Sequence, residues 1–494
     1  MTIVKTNSLD FDAQALREKI LDLAMRGKLV PQDPNDEPAS VLLDKIKAEK
    51  AELIEEKKIK KTKSLPPITD DEKPFDIPDS WEWVRLGDVI NLVSGRDIPK
   101  KYHLSSKSLN SVPYITGASN INEDGQITIS EWIKDPSVLV KRGTLLLSVK
   151  GTVGKIAKLE IPEAHIARQI MGIENVYNLD LDFQKYFLES YIEKLKKKAK
   201  SMIPGVSRED ILLANIPVPP LLEQSRIAAK IAQLFALLRK VETSTQQYAK
   251  LQTLLKSKVL DLAMRGKLVK QDPNDEPASE LLKKIKAEKA ELIKEKKIKE
   301  SKPLPPITDE EKPFDIPDSW EWVRLGDLTA PVEYAMADGP FGSNLKKTDY
   351  TLDPEVRIIQ LSNIGENGWK DQNVKYTTFE HLKSIQRSEV FPGNIVIAKM
   401  MPAGRAIIVP NKDKKYVLSS DAVKFIPDTH IYKDFLIYAI NSNTYRDQVN
   451  EKLQGTTRPR TSLKKLKNFL IPLPPFDEQK RIVTKTFDLF NMIG

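Results

Sequence analysis

Cysteine is absent from this chain of 494 residues, which excludes a disulfide framework, thiolate catalysis and any thiolate-ligated zinc site. Histidine is scarce: His103, His165, His381 and His430 stand singly, with no metal-ligand spacing, so no metal site is expected. No apolar run approaches the ~18 residues a membrane helix needs. The first residues carry Asp10, Asp12 and Glu18 without an apolar segment, unlike a signal peptide, so the expected location is cytoplasmic. A phosphate loop is also missing: Gly151-Thr152-Val153-Gly154-Lys155 is glycine-rich but is followed by Ile156, and reads as a turn between strands. What remains is a soluble globular composition, 40% hydrophobic and 30% charged, with room for two to four domains. The formal charge of +9 permits a polyanionic partner without requiring one.

The chain repeats itself. Residues 21 to 88 return at 260 to 327 without insertion or deletion, a constant shift of 239, with 60 of 68 positions identical. Solenoid repeats have periods of ~20 to 50 residues and need at least three copies, so two distant copies imply a pseudo-two-fold molecule instead. A second motif, Ile216-Pro217-Val218-Pro219-Pro220-Leu221-Leu222-Glu223-Gln224-Ser225-Arg226-Ile227, returns as Ile471-Pro472-Leu473-Pro474-Pro475-Phe476-Asp477-Glu478-Gln479-Lys480-Arg481-Ile482 at a shift of 255, so the second insert is 16 residues longer. Extending both shifts places Gly494 opposite Arg239 and Met1 opposite Lys240. The tail and the N-terminal segment are thus expected to rebuild one copy of the central segment, as in a circularly permuted tandem dimer.

Residues 223 to 264 carry a coiled-coil stripe: Ile227, Ile231, Leu234, Leu238, Val241, Tyr248, Leu255, Val259 and Leu262, interrupted by Thr245 and Gln252. The counterpart stripe is split between Ile482, Leu489, Ile493 and Leu16, Ile20, Leu23, and pseudo-symmetry predicts that it lies antiparallel to the central helix. An uninterrupted helix of about 42 residues spans ~63 Å. Gly27 and Gly266 follow where a left-handed cap belongs. After a turn from Asp33, and its copy from Asp272, comes a basic helix with a narrow face of Leu42, Leu43, Ile46, Leu53 and Ile54. Its remainder holds Lys45, Lys47, Lys50, Lys57, Lys58, Lys60 and Lys61. That surface is either a solvated face or a contact for a DNA backbone or a partner subunit. Pro66-Pro67-Ile68 and Pro305-Pro306-Ile307 read as stiff linkers. Trp81 and Trp83, two apart, are read as anchors on one strand face at the domain edge.

Within the inserts the pattern is short strands and turns. Val112 to Ile115 and Arg357 to Gln360 precede Ser119-Asn120-Ile121 and Ser362-Asn363-Ile364. Gly143 to Ser148 and Gly393 to Ala398 lead to Gly154 and Gly404, and helices are expected near 182 to 199 and 431 to 452.

The order of parts resembles the specificity subunit of a Type I restriction-modification system. The motifs that carry it are Ile77-Pro78-Asp79-Ser80-Trp81-Glu82-Trp83 and its copy, the Ile-Pro-x-Pro-Pro runs at 216 and 471 with Glu223-Gln224 and Glu478-Gln479, and the abutting termini. The resemblance covers essentially the whole chain. It implies an α+β fold: two strand-rich α/β target recognition domains separated by a pair of long antiparallel coiled-coil helices, pseudo-two-fold with a circularly permuted repeat. On that reading 1–30 is an N-terminal helix completing the distal conserved region, and 31–73 the turn, basic helix and proline linker. The first recognition domain is 74–221, the central helical spacer 222–312, the second recognition domain 313–476 and the C-terminal helix 477–494.

The resemblance further implies a non-catalytic subunit that reads a bipartite asymmetric DNA target. It would dock two adenine-N6 methyltransferase subunits and, through them, probably two restriction subunits. S-adenosylmethionine, ATP and Mg belong to those partners, and none of them to this chain. The residues agree, since an amino-methyltransferase needs Asp, Asn or Ser before Pro-Pro-Tyr or Pro-Pro-Phe, and Leu473-Pro474-Pro475-Phe476 offers no such acceptor. Unlike readers on a pseudo-two-fold spacer would engage unlike half-sites about one duplex turn apart, ~34 Å. Candidate DNA contacts are the loop residues able to address guanine, adenine or phosphate: Arg96, Lys100, Lys101, Lys150, Arg168, Gln169, Ser207 and Arg208 in the first insert. In the second they are Ser343, Asn344, Lys346, Lys347, Lys399, Arg405, Arg458 and Arg460. Taken singly, each reads as a phosphate contact or a plain surface charge ahead of a base reader. The alternatives are a freestanding bipartite DNA-binding regulator without methyltransferase partners, or an architectural coiled-coil adaptor between proteins.

Overall fold

A computed structural model describes residues 11–57, 64–198, 205–300 and 302–494; Lys58, Lys60 and Lys61 of the basic helix lie outside them. The chain divides into two units, one built from residues 9–245 and the other mainly from 246–494. Helix Leu221–Met264 contributes its first part to one and its remainder to the other.

In the first unit the two signature motifs turn out to be strand partners. Glu82–Arg85 pairs antiparallel with Asn215–Val218, in register from Glu82 opposite Val218 to Arg85 opposite Asn215, so the insert leaves and returns through one short ribbon. Between these strands lie two four-stranded sheets. One is antiparallel, in the order Asn91–Ser94, Ile170–Glu174, Leu145–Ser148, Ile156–Lys158. The other runs Glu131–Ile133, Val112–Ile115, Glu163–Ile166, Leu139–Lys141, with a parallel pair at its centre. Leu145, Leu146 and Leu147 are all fully buried: Leu145 and Leu147 join the frame's core while Leu146 faces the second sheet, as the two-residue period of a strand requires.

The second unit repeats the plan. Glu321–Arg324 pairs with Leu470–Leu473. Its sheets run Met336–Asp338, Ala422–Phe425, Ile395–Ala398, Ala406–Ile408, and Tyr376–Thr377, Val356–Ile359, Tyr416–Leu418, Glu389–Val390, again with one parallel central pair. The expected single helix near 431 to 452 is two, Lys433–Asn441 and Asn443–Glu451. The run Asn441-Ser442-Asn443-Thr444 offers side chains that compete for backbone hydrogen bonds, and Ser442 adopts extended angles. In the first insert, where that run is missing, helix Leu181–Lys198 is continuous.

The helical frame is antiparallel within each unit, as the split stripe predicts. Helix Ala13–Met25 meets the long helix through Arg17 Nη2 and Glu242 Oε2 at 2.6 Å, and the turn after it does so through Gln32 Nε2 donating to Glu223 Oε1. Helix Phe476–Ile493 meets it where Gln252 Nε2 donates to the Ile493 carbonyl at 2.7 Å, so this polar interruption of the seam satisfies a helix C-terminus. The seam does not close along its length. Among the described residues Ile227, Ile231, Val259 and Ile482 are buried, but Leu16, Val241, Tyr248 and Leu255 are exposed.

Gly27 and Gly266 adopt φ of +68° and +65°, and Lys28 N donates to Leu23 O in a Schellman cap. The basic helix spans Ala39–Glu55 and buries Leu42, Leu43 and Ile46. One expectation is extended and one is corrected. The proline linkers are strapped down: Arg85, almost fully buried, donates to the carbonyls of Pro66 and Pro67 and to Glu72, and Arg324 does the same to Pro305, Pro306 and Glu311. The tryptophans do not share a strand face, since Trp81 precedes the strand and is buried, while Trp83 packs its ring 5.1 Å from Phe75.

Candidate nucleic-acid interface

Each insert ends its strands in loops that converge on one side of the domain. In the first, Arg96 N donates to Ile166 O, Val149 N to Gln169 O, and Val206 N to Val149 O. These bonds gather the candidates Arg96, Lys150, Arg168, Gln169 and Arg208 around one rim. Gly95 is required there, because an added Cβ would sit 2.1 Å from Ala167 O. Beneath Arg96 the buried His165 receives Val138 N at Nδ1, so its Nε2 carries the proton and donates to Arg96 O at 2.8 Å. Burial depresses the pKa of this histidine, which keeps it neutral and the loop fixed.

The side chains on this rim differ in freedom. Arg168 is exposed and pairs with Asp97 at 2.6 Å, while Lys150 and Gln169 are exposed. Lys100 and Lys101 lie on the adjacent turn Lys100–Tyr102, with Lys101 Nζ 4.8 Å from the Tyr102 ring centre. Arg208 donates to Leu92 O at 2.7 Å, and burial lowers its pKa from the usual arginine value. Ser207 serves as the N-cap of helix Arg208–Leu212, with a reciprocal bond to Asp210, so its hydroxyl already has a structural task.

The second insert has the same rim. Lys399 N donates to Asp421 O, Thr461 N to Lys399 O, and Ser419 N to Ile359 O, where the first insert uses Val149 to Gln169, Val206 to Val149, and Ala167 to Ile115. This correspondence aligns Gln169 with Asp421, Arg168 with Ser420, Lys150 with Met400, Arg208 with Leu463 and Thr116 with Gln360. A cleft of about 340 Å³ opens here between Pro340, Tyr350, Gln360, Asn373, Ser420 and Asp421. Ser343, Asn344, Lys346 and Lys347 are exposed on the loop that follows Pro340. Arg458 and Arg460 are exposed on a hairpin that Arg460 N closes onto Gln454 O.

Lys399 and Arg405 are differently engaged. Lys399 Nζ lies 2.6 Å from Asp338, and Arg405 bridges to Glu366 and the Ile364 carbonyl. Arg405 corresponds to Lys155, which likewise ties its hairpin to Ile121 O and Glu123. The glycine-rich run before Lys155 is therefore a braced turn. Sequence reasoning passed over Thr116, Gln360, Met400, Ser420 and Asp421; aligning the inserts on Gly154 and Gly404 pairs Lys150 with Met400, but Ser420 and Asp421 meet Arg168 and Gln169 only after a further shift of two residues. The Ser-Asn-Ile runs are loop clasps, with Asn120 accepting from Thr116 N and Asn363 accepting from Gln360 N, both at 2.9 Å.

Two like domains with unlike rims, each closed by its own two-stranded ribbon, define a chain built of two related halves. The sequence profile of the Type I restriction modification DNA specificity domain matches twice, at residues 78–252 and 317–493, and the chain belongs to this family. It is similar to the Type I restriction enzyme EcoAI specificity subunit of Escherichia coli, at 33% identity over 97% of this chain and 89% of the relative. With the Escherichia coli EcoEI specificity subunit the identity is 29%, over 98% and 90%. A chain from a solved structure concerned with the assembly and conformational transition of the type I R-M system shares the fold. It superposes with a TM-score of 0.57 at 20% identity, covering 85% of this chain and 92% of that one. Among the described residues no helix is long and apolar enough to cross a membrane.

Proposed function

We propose that this chain recognises a bipartite, asymmetric DNA sequence, each insert reading one half-site, and that it docks two adenine-N6 methyltransferase subunits and, through them, restriction subunits. The observation that carries this reading is the pairing of a nearly invariant frame with rims that differ at equivalent positions. Gln169 can donate and accept at an adenine edge, whereas Asp421 can only accept, as from the amino group of cytosine. Two such rims select two unlike half-sites, and the length of the shared helical connection governs the gap between them. The chain itself carries no chemistry on this reading; S-adenosylmethionine, ATP and Mg act on the partner subunits. The test is co-expression with the neighbouring methyltransferase and mapping of adenine methylation by single-molecule sequencing. A split, non-palindromic motif with one modified adenine on each strand is the expected result. A palindromic or unsplit motif refutes the two-reader assignment.

A further inference from the structure

Beyond DNA recognition, we infer that Glu288, Asp428 and His430 form a binding site for a divalent transition metal of the zinc type. The site would fasten the basic helix of the second unit to its recognition domain. Glu288 projects from helix Ala278–Lys294, while Asp428 and His430 lie in the turn before helix Lys433–Asn441. One donor atom from each falls within 4.8 Å of the others. His430 Nδ1 is 2.9 Å from Asp428 Oδ1 and 3.6 Å from Glu288 Oε2. A tetrahedral ion with ligands at ~2.0–2.2 Å separates its donors by ~3.3 Å, so small side-chain movements suffice.

An independent observation points to a missing ligand. The Asp428 side chain is fully buried, and its second oxygen, Oδ2, has no hydrogen-bond partner. Such an orphaned carboxylate oxygen is costly unless something binds it. The nearby cation Lys289 donates to Asp327 O at 2.8 Å and acts on Asp428 through space, without a hydrogen bond to Oδ2. The side chains of Glu288 and His430 are 43% and 37% exposed, which leaves a solvent side for the ion to enter and for water to complete the coordination. Imidazole with two carboxylates suits zinc and its neighbours.

The first unit provides an internal control. Asp180 N donates to Gln224 Oε1 as Tyr432 N donates to Gln479 Oε1, which sets Val176 and Asn178 opposite Asp428 and His430, with Glu49 opposite Glu288. Two of the three ligands are therefore missing from that copy.

The test is a zinc titration of the full-length chain after chelator treatment, followed by calorimetry and thermal unfolding. One saturable equivalent is expected, raising an unfolding midpoint, with affinity reduced ~10-fold or more in Glu288→Gln and in His430→Asn. Glu49→Gln should leave the titration unchanged. If His430→Asn fails to fold, the half-exposed Glu288→Gln decides alone. A protonated His430 that merely bridges the two carboxylates would give no saturable zinc binding and overturn the inference. So would unchanged affinity in Glu288→Gln, or an equal loss in Glu49→Gln.

Discussion

Trp81→Phe tests the clasp that holds each recognition domain to its frame. Trp81 is 3% exposed and donates Nε1–H to Glu223 Oε2 at 2.9 Å, while Gln32 Nε2 donates to the other oxygen at 2.6 Å; Glu223 is 1% exposed. Trp320, Glu478 and Gln271 repeat the arrangement at the same distances. Phenylalanine removes one of two donors from a buried carboxylate, which costs ~1.5–3 kcal/mol, and leaves a partial cavity that adds ~1 kcal/mol. A loss of ~2.5–4 kcal/mol is therefore expected at neutral pH. Because each unit has its own core, the loss is best read by native-state hydrogen exchange in that unit. Burial pushes the Glu223 carboxyl up from its ordinary value of 4.5, against the lowering effect of its two donors. A carboxyl whose pKa is higher when folded contributes stability below the unfolded pKa and loses it as pH rises through the folded one. Removing the indole donor raises that pKa further, so the penalty of Trp81→Phe should be largest above both folded-state pKa values and shrink as pH falls through them, a window that lies above 4.5. Combining it with Glu223→Gln should recover part of the loss, and Trp320→Phe should behave alike in the second unit. A cost below ~1 kcal/mol, or one that does not change with pH, refutes the reasoning.

Gly27→Ala should destabilise the first unit by at least ~1–2 kcal/mol, because φ is +68° and the new Cβ would stand 2.4 Å from Pro78 Cγ; denaturant unfolding checks this. Arg168→Ala and Lys150→Ala should each weaken DNA binding and, where they touch phosphate, reduce the log–log salt slope by about 1. Arg405→Ala should lower stability and leave that slope unchanged, since Arg405 is tied to Glu366. Gln169→Ala should relax selectivity at one half-site by ~1–3 kcal/mol without altering the other, which methylation mapping of the variant would show.

The frame was legible because its signals are local and doubled. The long helix expected at 223 to 264 is Leu221–Met264, the glycine caps adopt positive φ, and the strand expected at Val112 to Ile115 is found there. The exposed middle of the seam was not legible, because periodicity reports which residues share a face and not whether a partner covers it. Ser207 could have been recognised as a cap from its Asp three residues on. The engagement of Lys399 and Arg405 could not, since their acidic partners lie 61 and 39 residues away. Glu288 lies 140 residues before Asp428, so a search for close ligand spacing misses their meeting entirely.

The two-stranded ribbon that closes each insert has a further consequence. Since departure and return are neighbours in register, the frame acts as a socket and the insert as a cartridge whose size is free to vary. The underside is keyed: Leu145, Leu147, Phe183 and Leu188 sit in the frame's core in one unit, and Ile395, Ile397, Phe435 and Ile440 take the same places in the other. Any cartridge that keeps those apolar teeth can be seated at either end while its rim changes without constraint. A stock of such cartridges, seated two at a time on one frame, yields as many pairings as the square of its size.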